Sequence, residues 1–127
     1  MNLPKRFGIW GNTDKFSFWE VLPDIISWSK NNRLEVYLTN RILHHKNGRH
    51  LNCKEILSKD DMSGLDFILV LGGDGTFLSL ARTIEDIKTP ILGIHLGDLG
   101  FLAKVTLKDL FHRLDQVIEG LYVLEER

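Results

Sequence analysis

The sequence predicts an α/β fold in which helices flank an open, mostly parallel β-sheet. Short apolar runs alternate along the chain with stretches of helical hydrophobic spacing, as they do in βαβ units. One run, at residues 67–71, is continuously apolar, which is typical of a strand buried on both faces. The length of 127 residues fits one domain, and a content of 43% apolar and 26% charged residues excludes disorder as the main state.

The elements are expected in alternating order along the chain. Strands are predicted at residues 7–10, 34–38, 67–71 and 91–96, and helical stretches at 18–26, 53–59, 76–84 and 106–119. Ser17 is the candidate N-cap of the first helix. Pro23 lies inside that helix, so we expect the helix to be kinked or to start later. Residues 40–64 are mostly polar and give the weakest pattern of the chain.

The composition excludes several classes of function. A net charge of −1 provides no basic field for binding nucleic acid or an anionic membrane. The longest apolar run is far shorter than the roughly 20 residues that span a bilayer, and no secretory signal is present. A single cysteine, Cys53, indicates a reducing compartment, and its spacing from His44, His45 and His50 is not that of a zinc site. We therefore expect a cytoplasmic protein that binds neither nucleic acid nor membrane.

A glycine-rich turn between the third predicted strand and the following helix is the main candidate site. The turn consists of Gly72, Gly73, Asp74, Gly75 and Thr76. Its glycines let the backbone approach a ligand closely, and free N–H groups at a helix N-terminus favour phosphate. Ligands of open parallel sheets bind at the carboxyl ends of the strands, where this turn lies. It is neither a Walker A loop, which needs Gly-Lys-[Ser/Thr], nor a G-x-G-x-x-G loop, because Leu78 occupies the third glycine position.

Asp74 is the unusual member of the turn, because a carboxylate repels a phosphate ligand. It could accept a proton from an attacking hydroxyl group or help to hold Mg²⁺. The alternative is that Asp74 caps the following helix, as aspartate commonly does. The residues of the turn alone leave both interpretations open.

Two segments together resemble the NAD kinase family. Residues 72–78 (GGDGTFL) are similar to the GGDGT motif of NAD kinases, diacylglycerol and sphingosine kinases and 6-phosphofructokinases. Residues 93–102 (GIHLGDLGFL) resemble the motif G-[IV]-[NH]-x-G-x-L-G-F-[LY], which separates NAD kinases from the others. Residues 7–12 and 122–127 resemble that family's first strand and domain junction, so the resemblance runs nearly from end to end.

The resemblance implies the N-terminal domain shared by NAD kinases and phosphofructokinases. This nucleotide-binding α/β domain would comprise residues 1–120, and residues 121–127 would begin the strand that leads to a second, β-rich domain. Nothing in the chain matches that second domain. We therefore expect this chain to be a fragment with little kinase activity by itself.

The resemblance also implies a reaction and the residues that perform it. NAD kinases transfer the terminal phosphoryl group of ATP, or in some members of polyphosphate, to the 2′-hydroxyl of the adenosine ribose of NAD, which makes NADP. Asp74 would be the catalytic base and contact the substrate with Gly75, while Gly72, Gly73 and Thr76 would form the phosphate cradle. Phe101 would line the adenine pocket of NAD, the alternative being an ordinary core position. Mg²⁺ or another divalent cation would accompany ATP, no metal-ligating residue is predicted, and the full-length form would be a homo-oligomer.

Two alternative functions remain open on the sequence. A lipid kinase of the diacylglycerol type shares the GGDGT motif, but those enzymes usually continue with a polar segment containing Asn-Glu, whereas Phe77 and Leu78 follow here. A nucleotide-binding module without catalytic activity is the second alternative.

Overall fold

A five-stranded, all-parallel sheet forms the centre of the fold. The computed structural model describes residues 5–95 together with His112 and Asp115, without the side chains of Asp74 and His95. The strands are β1 (Arg6–Gly11), β2 (Glu35–Thr39), β3 (Lys54–Ile56), β4 (Phe67–Gly72) and β5 (Ile91–His95). The helices are α1 (Phe16–Asn31), α2 (Asn40–Leu43), α3 (Lys59–Ser63) and α4 (Asp74–Thr83). None of the described helices is long and apolar enough to cross a membrane.

The strand order β3-β2-β1-β4-β5 places β1 in the middle of the sheet. From β1 the chain builds outward to β2 and β3 on one side, and then returns to add β4 and β5 on the other. Ile9 of β1 is accordingly paired with Leu38 of β2 and with Leu69 of β4. The strand order reverses between β1 and β4, and ligands of open α/β sheets bind at such a switch point, outside the carboxyl ends of the strands.

Helices cover both faces of the sheet, and each face has its own apolar cluster. Because side chains alternate along a strand, Phe7 and Ile9 of β1 point to the face covered by α1, where Phe7 stacks on Phe67 with ring centroids 4.9 Å apart. Trp10 packs on the opposite face, which α3 and α4 cover. All six residues of β4 are buried, as its continuous apolar run predicts.

The predicted helix at residues 53–59 is wrong, because β3 and the start of α3 occupy this part of the chain. β3 is a three-residue edge strand in which Ile56 is the one apolar side chain, so the sequence carries no period-two pattern there. It is a strand because its backbone pairs in parallel with β2, from Tyr37 opposite Lys54 to Thr39 opposite Ile56. Tertiary pairing has therefore decided the structure where local pattern could not.

The start of α1 also differs from the prediction. The helix begins at Phe16 and Lys15 occupies the N-cap position, where its side chain makes no capping hydrogen bond, so Ser17 is not the N-cap. The helix continues through Pro23, which lies in its second turn. Its start at Phe16 comes before the predicted residue 18, so the expectation of a later start is wrong.

The predicted helix at 106–119 falls mostly outside the described residues. His112 and Asp115 are described, and both are helical. The Asp115 carboxylate accepts a hydrogen bond of 2.9 Å from the indole nitrogen of Trp28 on α1. Phe101 and residues 121–127 lie outside the described part of the chain, so the predictions made for them stay predictions.

Candidate active site

The glycine turn joins β4 directly to α4. Gly72 is the last residue of β4, and Gly73 has the extended conformation of an N-cap residue, with φ −111° and ψ −166°. Asp74 is the first helical residue of α4, so its backbone lies at the carboxyl edge of the sheet, while its side chain is outside the described part. The alternative in which Asp74 is the N-cap is wrong, because Gly73 holds that position.

The glycines of the turn have two different kinds of surroundings. A Cβ atom on Gly72 would lie 2.6 Å from Oγ1 of Thr76, and the φ of Gly72 is +159°, which side chains rarely adopt. Gly72 is therefore required for packing. A Cβ atom on Gly73 or on Gly75 would meet no heavy atom within 4 Å. Within the part of the chain that the structure describes, open space therefore lies beside both residues. Since neither residue carries a side chain, a ligand could approach their backbones closely there.

The loop that follows β1 lies next to the glycine turn and is held there by hydrogen bonds. The backbone N–H of Asn12 donates to the carbonyl of Leu71 over 3.0 Å, which ties the end of β1 to the end of β4. The side-chain oxygen of Asn12 accepts from the N–H of Asp14, also over 3.0 Å. The indole N–H of Trp19 on α1 donates to the carbonyl of Thr13 over 2.9 Å. These bonds fix the path of the chain into α1.

A cavity of about 350 Å³ lies between the glycine turn and this loop, at the switch point of the sheet. Its volume falls within the range of small-molecule sites, ~300–1,000 Å³. The cavity is lined by Trp10, Gly11, Asn12, Lys15, Arg41, Gly73, Gly75, Thr76 and Ser79. The turn residues Gly73, Gly75 and Thr76 therefore line it as the sequence predicts, while Gly72 lies behind them against Thr76.

The charges of the described residues that line this cavity favour an anion. Two cationic residues, Lys15 and Arg41, belong to its lining, and no acidic side chain occurs in the part of the lining that the structure describes. The N-termini of α1 and α4 both border the cavity, and neither N-cap residue, Lys15 or Gly73, provides a side-chain cap. Uncapped first-turn N–H groups and the positive ends of two helix dipoles bind negative groups.

Two residues of this lining, Lys15 and Arg41, were not predicted from the sequence. Arg41 comes two residues after the end of β2, and Lys15 ends the loop after β1. Since the carboxyl ends of parallel strands share one edge of the sheet, a search for cations just beyond each predicted strand would have found both residues.

The perturbed pKa values lie elsewhere in the described part of the molecule. Lys54 forms an ion pair with Glu35, which lowers the pKa of the Glu35 carboxyl and raises the pKa of the Lys54 ammonium. Burial raises the pKa of the Cys53 thiol. Glu35 and Lys54 begin β2 and β3, at the amino edge of the sheet, opposite the cavity. Among the described residues, no group of three His, Cys, Asp or Glu side chains could hold a metal ion.

A family model, that of the ATP-NAD kinase N-terminal domain, matches residues 7–122. The chain belongs to this family. The match covers nearly the whole sequence, and it favours the NAD kinase interpretation of the GGDGT motif over the diacylglycerol kinase alternative.

Relatives of known name support this assignment to the ATP-NAD kinase N-terminal domain family. The chain is 37% identical to the NAD kinase of Caldanaerobacter subterraneus and 39% identical to that of Clostridium kluyveri, with 97% of the chain aligned in each case. It spans 42% and 40% of the length of these curated relatives. Its fold matches the crystal structure of yeast NADH kinase complexed with NADH, with a TM-score of 0.71 and 20% identity over 95% of this chain and 38% of that chain.

Proposed function

We propose that the cavity binds the phosphate groups of a phosphoryl donor, and that the protein phosphorylates NAD at the 2′-hydroxyl of its adenosine ribose to make NADP. The observation that carries this proposal is the open space that the described residues leave beside the backbones of Gly73 and Gly75, bordered by two helix N-termini whose N-cap residues provide no side-chain cap. Membership in the ATP-NAD kinase N-terminal domain family supports the choice of reaction.

The phosphate groups would be bound mainly by backbone N–H groups and by two cations. Phosphoryl transfer depends on the positioning of the donor and on neutralisation of its charge. The Arg41 guanidinium is exposed and suited to bidentate contact with phosphate, and Lys15 adds a second positive charge from the start of α1. Thr76, which lines the cavity, adds a hydroxyl group to the cradle.

Asp74 is the proposed general base. Its backbone lies at the first position of α4, beside the phosphate cradle. In the proposed step the 2′-oxygen of NAD attacks the terminal phosphorus and Asp74 takes the proton of that hydroxyl. The bond from this phosphorus to the bridging oxygen breaks, and the electron pair leaves with ADP or with the shortened polyphosphate.

Mg²⁺ or another divalent cation would accompany the donor. The turn offers backbone N–H groups, which bind anions, so the cation would be held chiefly by phosphate oxygens, its usual ligands. Its charge would offset the repulsion between Asp74 and the donor. Phe101 remains the proposed contact to the adenine of NAD, and the full-length form is proposed to be a homo-oligomer.

The proposal is tested by measuring the formation of NADP from NAD and Mg²⁺-ATP by the full-length form of the protein. We expect Asp74→Asn to lower kcat by about 10²- to 10⁴-fold, the usual contribution of a general base, with donor affinity nearly unchanged. Asp24→Asn, an exposed carboxylate on α1, is the matched control and is expected to turn over normally. Near-normal turnover in Asp74→Asn would remove Asp74 from the mechanism. A wild type that binds nucleotide without turnover would support the non-catalytic module instead.

A further inference from the structure

Trp10 lies near the carboxyl end of β1 and lines the cavity at the glycine turn. It is level with Val70 of β4, two residues before Gly72, and its side chain packs, partly buried, against the apolar cluster on the α4 face of the sheet. A tryptophan side chain combines a large apolar surface with one polar group, the indole N–H, which usually finds an acceptor when it is buried. The partner of this N–H therefore determines whether Trp10 does more than pack.

The three tryptophans of the chain differ in the use of their indole N–H groups. Trp19 donates to the carbonyl of Thr13 over 2.9 Å. Trp28 donates to the carboxylate of Asp115 over the same distance. Among the described residues, the indole N–H of Trp10 has no acceptor, and since no polar side-chain atom of these residues is buried without a partner, this N–H is accessible to solvent. Because Trp10 lines the cavity, a bound ligand can supply the acceptor.

The order of the strands places Trp10 between the two groups that would hold phosphate. The glycine turn follows β4, Arg41 comes two residues after β2, and β1 lies between these two strands. Neighbouring strands are spaced by 4.7–4.9 Å, so the ends of β2 and β4 are about 10 Å apart. A chain of linked phosphate groups that reaches from the glycine turn to Arg41 must therefore cross the end of β1, where Trp10 lines the same cavity.

We propose that the indole N–H of Trp10 donates a hydrogen bond to a phosphate oxygen of the bound phosphoryl donor and so positions the middle of its phosphate chain. The inference rests on the proposed function, and it adds a binding residue outside the glycine turn. A hydrogen bond to an anionic oxygen is stronger than one between neutral groups, and the indole N–H has a fixed direction in the plane of its ring. Arg41 would attract the whole phosphate chain, whereas Trp10 would select one path for it.

The NMR signals of the three indole N–H groups test this inference in the 127-residue chain. The probe is inorganic tripolyphosphate with Mg²⁺, and the signals are assigned by their loss in Trp→Phe variants. We expect saturation with the probe to move the Trp10 signal downfield and to slow the exchange of this proton with water, because the N–H gains an acceptor. The signal of Trp28, whose N–H already has an acceptor, should not change.

Trp10→Phe measures the contribution of the hydrogen bond, since phenylalanine keeps an aromatic ring and lacks the N–H group. We expect this variant to bind tripolyphosphate about tenfold more weakly in calorimetric titration. Trp28→Phe is the matched control, because it removes an indole that does not line the cavity, and it should bind as wild type does. Urea unfolding checks the fold of both variants, and the signals of wild type decide the matter if Trp10→Phe is unfolded.

The outcomes separate the inference from the proposed function. If wild type binds the probe but the Trp10 signal does not respond, or if folded Trp10→Phe binds as tightly as wild type, Trp10 is a packing residue and only the inference is overturned. If the Trp28 signal moves as much as the Trp10 signal, the response is a general change of structure and the inference also fails. If wild type does not bind tripolyphosphate, the phosphate site itself is wrong and the inference fails with it.

Discussion

Alanine substitutions at the adjacent residues Gly72 and Gly73 are expected to affect different properties, the first the stability of the fold and the second the binding of a ligand. At Gly72 the new methyl group would lie 2.6 Å from Oγ1 and 2.9 Å from Cβ of Thr76, and the φ of +159° would be strained. At Gly73 the methyl group would meet no heavy atom within 4 Å, and the φ of −111° suits any residue. Gly72→Ala should therefore damage the fold, and Gly73→Ala should damage ligand binding.

The expected magnitudes follow from these contacts. Overpacking and backbone strain together should lower the free energy of unfolding of Gly72→Ala by about 2–4 kcal/mol. Gly73→Ala should change it by less than about 1 kcal/mol, because alanine restricts the unfolded chain but is a poorer N-cap residue than glycine. With a urea dependence of about 2 kcal/mol/M, the unfolding midpoint should fall by roughly 1–2 M for Gly72→Ala and should shift by less than about 0.5 M for Gly73→Ala.

The assay combines urea unfolding, followed by the fluorescence of the three tryptophans, with binding of Mg²⁺-tripolyphosphate. Gly73→Ala is expected to bind this probe at least about tenfold more weakly, since the methyl group would occupy space next to a phosphate group. The reasoning is refuted if Gly73→Ala loses as much stability as Gly72→Ala, or if it binds tripolyphosphate as wild type does.

Two further predictions concern parts of the fold outside the site. Pro23→Ala should raise the free energy of unfolding by about 1–3 kcal/mol, measured by urea unfolding, because an exposed proline inside α1 cannot donate the helical hydrogen bond; a loss of stability would contradict this. Lys54→Met should return the pKa of Glu35, measured by NMR, from its lowered value towards 4.5. A lowered carboxyl pKa stabilises the fold above the unfolded value, and this contribution disappears as pH falls through the folded pKa. Since both side chains are exposed to solvent, added salt should weaken the shift of the Glu35 pKa, and an unchanged pKa in Lys54→Met would disprove the pairing.

The parts of the fold that the sequence predicted are those in which local pattern and tertiary environment agree. The continuous apolar run of β4 reflects burial on both faces, and the glycines that follow it mark the turn into α4. β3 was missed because an edge strand of three residues has no periodicity of its own. Lys15 was not recognised as the N-cap residue of α1, since it provides no side-chain cap, which is the usual sequence signal.

The candidate site was predicted only in part, because the order of the strands in the sheet, and not the local sequence, brings several of its residues together. No local pattern reveals that β1 pairs with β4, yet this pairing brings Asn12 to the carbonyl of Leu71. The same order puts Arg41, from the end of β2, on the far side of Trp10 and Gly11 from the glycine turn. A sequence motif identifies site residues that are contiguous in the chain. Site residues that are distant in the chain become apparent only from the order of the strands.

Arg41 lies in the lining of the cavity at the glycine turn and also in that of a second cavity, of about 430 Å³, which continues along α4. A phosphate chain that extends from Gly73 towards the end of β2 would approach this guanidinium, so its charge would act on any donor, whether nucleotide or polyphosphate. The charge of Arg41 would therefore set how tightly phosphate groups are held, while the backbones of Gly73 and Gly75 would set where they lie.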